Sequence, residues 1–470
     1  MGNNKNLYRV GTGSGSDKMK IHIIGICGTF MGGVARLATD LGFTVTGSDA
    51  NTYPPMSSQL RSLGIELSEG YSSDNIPENI DLVLVGNTIS RGNPELESVL
   101  DKSLRYTSGA QWLGEHVLQG RWVLAVAGTH GKTTTSSILA WLLEDNDLAP
   151  GYLIGGVPEN FGESARLGTT SFFVIEADEY DTAFCDKRSK FVHYQPRTLI
   201  LNNLEFDHAD IFDDLAAIQT QFNHLLKTVP QHGQIIHNQD SKALDEVLEL
   251  GYWSELKSFN TDSSDWSTEK VADDASQFYL KHGTERHLVN WSLIGDHNMA
   301  NALAATAAAH HVGIPIANAV ESLTTFKSVK RRMEVICDQD DVRVFDDFAH
   351  HPTAIAETLA GLRRSVGGEK IIAVLEPRSN TMKRGVHKHL LKDALQHADS
   401  VLVFADENVK WDISELESDS THAFSDTDKL LKQLTTLIND DDGRTNVLIM
   451  SNGGFDNLYQ RLIDRLLSGV

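Results

Sequence analysis

Short apolar runs alternate with stretches whose apolar residues recur at helical spacing, and this alternation extends over nearly the whole chain. The first run, residues 21–24, leads through Gly25-Ile26-Cys27-Gly28-Thr29-Phe30-Met31-Gly32-Gly33 into a helical pattern carrying Val34, Leu37, Ala38 and Leu41. A second run, 44–47, ends at Asp49, and a third, 82–85, precedes Gly86-Asn87-Thr88-Ile89-Ser90. Residues 122–127 run into Gly128-Thr129-His130-Gly131-Lys132-Thr133-Thr134-Thr135 and a helix with Ile138, Leu139, Leu142 and Leu143 on one face. Two later runs end in chemistry: 172–175 in Glu176-Ala177-Asp178-Glu179, and 199–201 in Asn202-Asn203-Leu204-Glu205-Phe206-Asp207-His208. After a basic cluster of Lys327, Lys330, Arg331 and Arg332, the pattern restarts with runs at 342–345, 371–375, 401–404 and 447–450, separated by helices such as 354–364. Strands alternating with helices imply mostly parallel sheets. The pattern predicts an α/β protein of three domains, each on a mostly parallel sheet: a Rossmann-like domain over 19–117, a P-loop domain over 118–327 and a second Rossmann-like domain over 328–470. Residues 1–18, with Gly11-Thr12-Gly13-Ser14-Gly15-Ser16, read as a flexible leader, and Met19 is a candidate start.

A chain of 470 residues has room for several buried cores. Its 41 Lys and Arg against 64 Asp and Glu give a net charge of −23, which argues against nucleic acid or an anionic membrane as the main partner. An anionic substrate must then be held by a local basic cluster. Cys27, Cys185 and Cys337 are widely spaced and offer neither a disulfide framework nor a C-x-x-C metal site. No run approaches the roughly 18 apolar residues of a membrane helix. A reducing, cytoplasmic setting is expected.

The stretch around Lys132 carries the clearest chemistry. It joins a buried strand to a helix N-terminus, where glycines let backbone amides close around phosphate and the helix end adds partial positive charge. Lys132 would bridge the outer phosphates and the Thr133 hydroxyl would ligate magnesium. The loop is G-x-x-G-K-T, shorter than the full pattern, since Val126 stands where the first glycine would fall. The N-terminal loop runs G-x-x-G-x-x-x-G-G, which departs from the dinucleotide fingerprint; NAD, another phosphate-bearing nucleotide and a purely structural turn all remain open there. Glu176 and His208, at carboxyl strand ends after the P-loop, are candidate magnesium ligands. Gly295-Asp296-His297-Asn298-Met299-Ala300-Asn301 opens an alanine-rich helix whose side-chain amides are candidates for adenine or ribose. In the third domain, Arg378-Ser379-Asn380-Thr381-Met382-Lys383-Arg384 stands out as basic in an acidic chain and is a candidate carboxylate site.

Taken with Arg331-Arg332-Met333-Glu334 at the hinge, the P-loop in the middle of three α/β domains resembles the Mur ligases, ATP-dependent amide-forming enzymes of bacterial peptidoglycan. The likeness covers the chain after Met19. Within the family, Gly25 to Gly33, Asp49-Ala50-Asn51-Thr52-Tyr53-Pro54-Pro55-Met56, Asp346-Asp347-Phe348-Ala349-His350-His351-Pro352 and Glu376-Pro377-Arg378-Ser379-Asn380-Thr381-Met382-Lys383 resemble the branch that starts from UDP-N-acetylmuramate and attaches a recovered tripeptide, L-alanyl-γ-D-glutamyl-meso-diaminopimelate. The alanine-adding branch is the alternative. The resemblance implies ATP and Mg2+, an acyl-phosphate intermediate, a monomer or weak homodimer, and a set of roles. ATP would meet Gly128, Thr129, His130, Gly131, Lys132, Thr133, Thr134, His297, Asn298, Asn301, Arg332 and Asp347. One magnesium would meet Thr133 and Glu176, and a second His208. The UDP-sugar would meet Gly25, Cys27, Gly28, Thr29, Phe30, Met31, Asp49, Asn87 and Ser90, and the peptide Arg378, Ser379, Asn380, Lys383 and Arg384. Lys132, Glu176, His208 and Arg332 would be catalytic, with His350 a candidate acceptor of the amine proton because imidazole titrates near neutrality. Where several relatives carry a carbamoylated lysine after the metal histidine, this chain has Phe222-Asn223-His224, and no such bridging group is expected.

Overall fold

The computed structural model describes residues 18–52, 56–339, 341–440 and 443–468. The leader reading of 1–18 therefore falls almost wholly outside the described residues, as do Tyr53, Pro54 and Pro55. Three α/β units follow one another. The first holds five parallel strands in the order Glu66–Glu69, Thr44–Asp49, Lys20–Ile24, Leu82–Val85, Tyr106–Ser108. Its order reverses beside Lys20–Ile24, so the loops after that strand and after Leu82–Val85 face one crevice at their carboxyl ends.

The central sheet has ten strands, more than the sequence pattern disclosed. Its parallel heart places Trp122–Ala127 between Thr198–Leu201 and Phe172–Ala177. This register sets the P-loop, Glu176 and Asn202 side by side. Antiparallel strands Gln277–His282 and Glu285–Asn290 extend one edge, and Ala165–Arg166 pairs antiparallel with Gly151–Leu153 at the other. These strands are short and alternate polar residues outward, so no continuous apolar run announces them. The third sheet has six strands, parallel except for the antiparallel pair Glu334–Gln339 with Val342–Asp347.

The P-loop helix, Lys132–Asp145, departs from a one-faced pattern: residues 132–140 are all buried. The alanine-rich helix, Asp296–His311, packs directly along it, and its small side chains permit the close approach. Leu124, Ile138, Leu139, Leu303 and Ala307 share one apolar cluster on this side of the sheet. The opposite face fuses with the first unit, because Ile21, Val34, Trp112, Leu153, Ala165 and Phe173 belong to a single cluster. Gly33 is needed here, since a Cβ would lie 2.2 Å from Leu153 Cδ1. The third unit has its own clusters around Leu359 and Leu375, and around Leu434 and Leu458. Among the described residues no helix is long and apolar enough to cross a membrane.

Leu139→Ala, at a fully buried position, should cost about 2–5 kcal/mol, while Leu250→Ala, whose side chain is largely exposed, should stay within about 0.5 kcal/mol. Denaturant unfolding followed by tryptophan fluorescence separates the two.

Candidate functional site

The P-loop departs from the strand at Gly128, with φ 147°, and enters the helix through Gly131, with φ 77°, a left-handed conformation that suits glycine. Asn203 Oδ1 accepts from the His130 amide at 2.8 Å and holds the loop open around its other amides. Lys132 is buried. Its Nζ donates to Gly128 O at 2.6 Å and Glu179 Oε2 at 3.1 Å, with Asp178 Oδ1 at 3.8 Å. Burial disfavours its charge, but Glu179 and Asp178 overcome that and raise its pKa above the ordinary value. Thr133 Oγ1 donates to Glu176 Oε1 at 2.8 Å, and the Gly155 amide donates to Oε2 at 2.7 Å. Burial, reinforced by Asp178, raises the Glu176 carboxyl; an added cation would relieve it.

His208 reaches the same place from the loop after Thr198–Leu201, in a turn with φ 54°. Its Nε2 lies 3.0 Å from Glu179 Oε1. Glu179 is thus shared by Lys132 and His208, a role invisible in its position beside the more obvious Glu176. Burial would raise the Glu179 carboxyl, yet Lys132 and His208 hold it at about 2. Burial would likewise lower His208, and Glu179 raises it instead. Asp207 donates no proton here: burial is outweighed by His208 and His350, which keep it far below the usual carboxylate range.

A cavity of about 840 Å³ connects these groups to all three units. Thr29 and Met56 line it from the first, the P-loop, Glu176, His208, His297, Asn298 and Asn301 from the second, and Arg332, Asp347, His350 and His351 from the third. Asn301 Oδ1 accepts from Thr135 Oγ1 at 3.0 Å, fixing the alanine-rich helix to the P-loop helix. His297 is driven by burial to about 4, and its Nδ1 is buried without a hydrogen-bond partner. That edge of the ring packs on Gly295, where a Cβ would lie 2.8 Å from Nδ1. Two carboxylate bonds shape the hinge. Asp347 accepts from the amides of Met333 and Ala349, both at 2.8 Å, and Asp346 pairs with Arg331 at 3.1 Å. Arg331 also bonds Ser451 O and Gly453 O, and both Arg331 and Arg332 line the cavity and lie over the Phe348 ring, at 5.4 and 5.0 Å.

Burial lowers His350 to about 4, which favours the neutral imidazole, the form able to accept a proton, and its Nε2 lies 4.0 Å from Asp207 in the cavity wall. Asp49 is occupied by the Cys27 amide at 2.9 Å and the Asn51 amide at 3.1 Å, which shapes the N-terminal loop. Gly25 turns that loop at φ 80°, and Gly28 precedes the helix Thr29–Asp40 with no side-chain cap, leaving its first amides available. Met31 is core, packed toward Gly109, so only its backbone can serve a ligand. Cys27 is raised to about 11 by burial and Asp49, which makes it an inert thiol. Phe30 sits 4.5 Å from the Nζ of Lys190, a buried cation also paired with Asp178 at 3.1 Å. Asn87 is half-buried and Ser90 exposed beyond the Leu82–Val85 strand end.

The basic group 378–384 does not form one open anion site. Asn380 Nδ2 bonds Asp210 Oδ2 at 2.8 Å, Arg384 Nη1 bonds Ala209 O at 2.7 Å, and Ser379 Oγ accepts from the Met382 amide. Lys383 is paired with Asp406 at 3.5 Å. The reason is local: the loop bearing His208 lies against this segment, and its polar groups need partners. His387 Nε2 on Phe206 O at 3.0 Å and Thr381 Oγ1 on the Ala209 amide at 3.3 Å complete the clasp. Arg378 is 46% exposed, as Asn380 and Arg384 are also exposed, and its side chain packs on Gly453 with Glu376 at 3.4 Å. In the 222–224 segment, Phe222 is core and packs on Phe191.

Three family models match the chain in order: the Mur ligase family catalytic domain over residues 20–121, the Mur ligase middle domain over 126–309, and the Mur ligase glutamate ligase domain over 331–453. Two proteins named UDP-N-acetylmuramate--L-alanyl-gamma-D-glutamyl-meso-2,6-diaminoheptandioate ligase are similar throughout. The one from Haemophilus influenzae is 50% identical over 95% of this chain and 99% of its own length. The one from Escherichia coli is 52% identical over 95% and 98%. A crystal structure of a murein peptide ligase from Psychrobacter arcticus superposes with a TM-score of 0.74 at 46% identity, covering 95% of this chain and 98% of that one.

In Glu179→Gln, the imidazole of His208 should titrate at lower pH than in the parent. A raised histidine favours the folded state below its ordinary value, and this contribution is lost as pH rises through the folded value, so the loss comes earlier in the variant. The Cε1 proton shift followed against pH reads this directly; coincident titrations would remove Glu179 as the cause.

Proposed function

The chain belongs to the Mur ligase family, and from that premise we propose that it joins L-alanyl-γ-D-glutamyl-meso-diaminopimelate to UDP-N-acetylmuramate at the expense of ATP. The observation that carries the substrate assignment is the 50–52% identity, over 95% of the chain, to ligases named for that reaction. It favours the tripeptide over free alanine as acceptor. The reading places the enzyme in the cytoplasm, as a monomer or weak homodimer, in peptidoglycan recycling.

The substrate carboxylate attacks the γ-phosphate of ATP, giving an acyl phosphate and ADP; the peptide amine then attacks the acyl carbon and phosphate leaves. Both reactants of the first step are anions, so positive charge must be concentrated where they meet. Lys132 supplies one charge from the P-loop, and Arg332 a second from the third unit. A magnesium ion suits the oxygen donors of Thr133 and Glu176 with the imidazole of His208 nearby, and would neutralise the phosphates. Lys132 exchanges its Glu179 contact for phosphate, and Glu179 keeps His208 oriented. His297, Asn298 and Asn301 face the nucleoside, and the N-terminal loop amides around Gly25, Gly28 and Thr29 face the UDP diphosphate. Arg332, Asp347 and the docked third unit exclude water from the acyl phosphate. Arg378 is retained as the peptide-carboxylate partner.

Phosphate release from ATP and UDP-N-acetylmuramate should require the tripeptide and yield a UDP-linked product of matching mass; release with L-alanine alone would assign the alanine-adding reaction instead. Arg378→Ala should raise the KM for the tripeptide by about tenfold or more, the loss of one charge-assisted contact, and leave that for ATP nearly unchanged. Equal changes in both would remove Arg378 from the peptide site.

A further inference from the structure

Three metal-ligating side chains converge beside the cavity, which His130 and His351 line. His130 comes from the P-loop, Glu205 from the loop after Thr198–Leu201, and His351 from the N-cap of the helix Pro352–Val366. One ligand atom from each lies within 4.8 Å of the other two. His130 Nε2 is 3.2 Å and His351 Nδ1 3.4 Å from the same oxygen, Glu205 Oε2. Zinc bonds of about 2.0–2.2 Å to imidazole and carboxylate in a tetrahedron need donor separations of roughly 3.3 Å. Two edges of that tetrahedron are already in place.

The surroundings support a cation here. Among the described residues Glu205 forms an ion pair with no lysine or arginine, only with the two imidazoles. Thr353 Oγ1 donates to Glu205 Oε2 at 2.8 Å, the kind of outer contact that orients a metal-bound carboxylate. His351 is buried and its Nε2 has no partner; its Nδ1 accepts the cap bond from the Thr353 amide at 3.3 Å, a contact that metal binding at Nδ1 would replace. Glu357, on the same helix, lines the cavity, and burial raises its carboxyl to about 7, so it adds little negative charge. Two imidazoles and one carboxylate, with a fourth position left for water, form a donor set that suits a borderline cation better than magnesium.

We propose that His130, Glu205 and His351 form a binding site for a divalent transition-metal cation of the zinc class, separate from the magnesium position at Thr133 and Glu176. When filled, it ties the phosphate loop to the third unit and fixes that unit in its docked position.

Cobalt(II) is the probe, because four-coordinate cobalt absorbs strongly in the visible and six-coordinate cobalt weakly. The full-length protein, free of nucleotide and magnesium, should take up one equivalent with intense visible bands. His208→Asn, which alters the magnesium side, should retain them. His351→Ala and Glu205→Gln should each lose them and bind cobalt about tenfold or more weakly. X-ray absorption on the zinc-loaded parent protein, which needs no variant to fold, should report two imidazoles and a carboxylate. Cobalt that stays six-coordinate, bands that survive in folded His351→Ala or Glu205→Gln, bands lost in folded His208→Asn, or a zinc shell without two imidazoles would each overturn the assignment.

Discussion

A lysine buried among three carboxylates is the constraint on which the rest depends. Lys132 must stay charged in a place where burial opposes charge, and it does so because Glu179 and Asp178 stand beside it. Those carboxylates in turn need other cations: Glu179 has His208 and Asp178 has Lys190. Each partner arrives from a different segment, so one buried charge recruits the strand end after Phe172–Ala177, the loop after Thr198–Leu201 and the strand pair ending at Ser189. The network is nearly neutral as it stands. Under the proposed assignment a triphosphate with its cation would replace contacts within it rather than meet a bare buried charge.

The alternation of apolar runs with helical stretches was enough to read three parallel-rich units, because burial on both faces of a sheet leaves uninterrupted apolar strands. It missed the antiparallel edge 266–290, where one face meets water and the run is broken by polar residues. In the site, glycines and a lysine at a strand-to-helix junction were legible because few other residues make that turn. Glu179 was not, since a carboxylate's importance there comes from two partners distant in sequence. Nor could spacing show that Asn380 and Arg384 are consumed by Ala209 and Asp210, or that burial lowers His350 to about 4. Those are facts of tertiary neighbourhood, which no local pattern encodes.

The third unit touches the second through the loop 205–210 and through its helix Pro352–Val366, where Arg364 pairs with Asp296 at 3.1 Å and Gly361 lies against Gly295. Thr353, Thr381, Arg384, His387 and Asn380 all bond to the loop. That loop also carries His208. The position of the third unit therefore bears on the geometry of a group at the phosphate end of the site, and Arg332 and Asp347 come with it.

The first and second units, by contrast, share one apolar cluster, with Gly33 seated against Leu153. The molecule is thus closer to a fixed frame with one hinged arm than to three equal beads. A frame of this kind works as a ruler. The span from the N-terminal glycine loop to the P-loop is set by core packing, so under the proposed assignment a sugar nucleotide anchored at one end would present its reactive group at a single distance, and discrimination by length would be built into the rigid part.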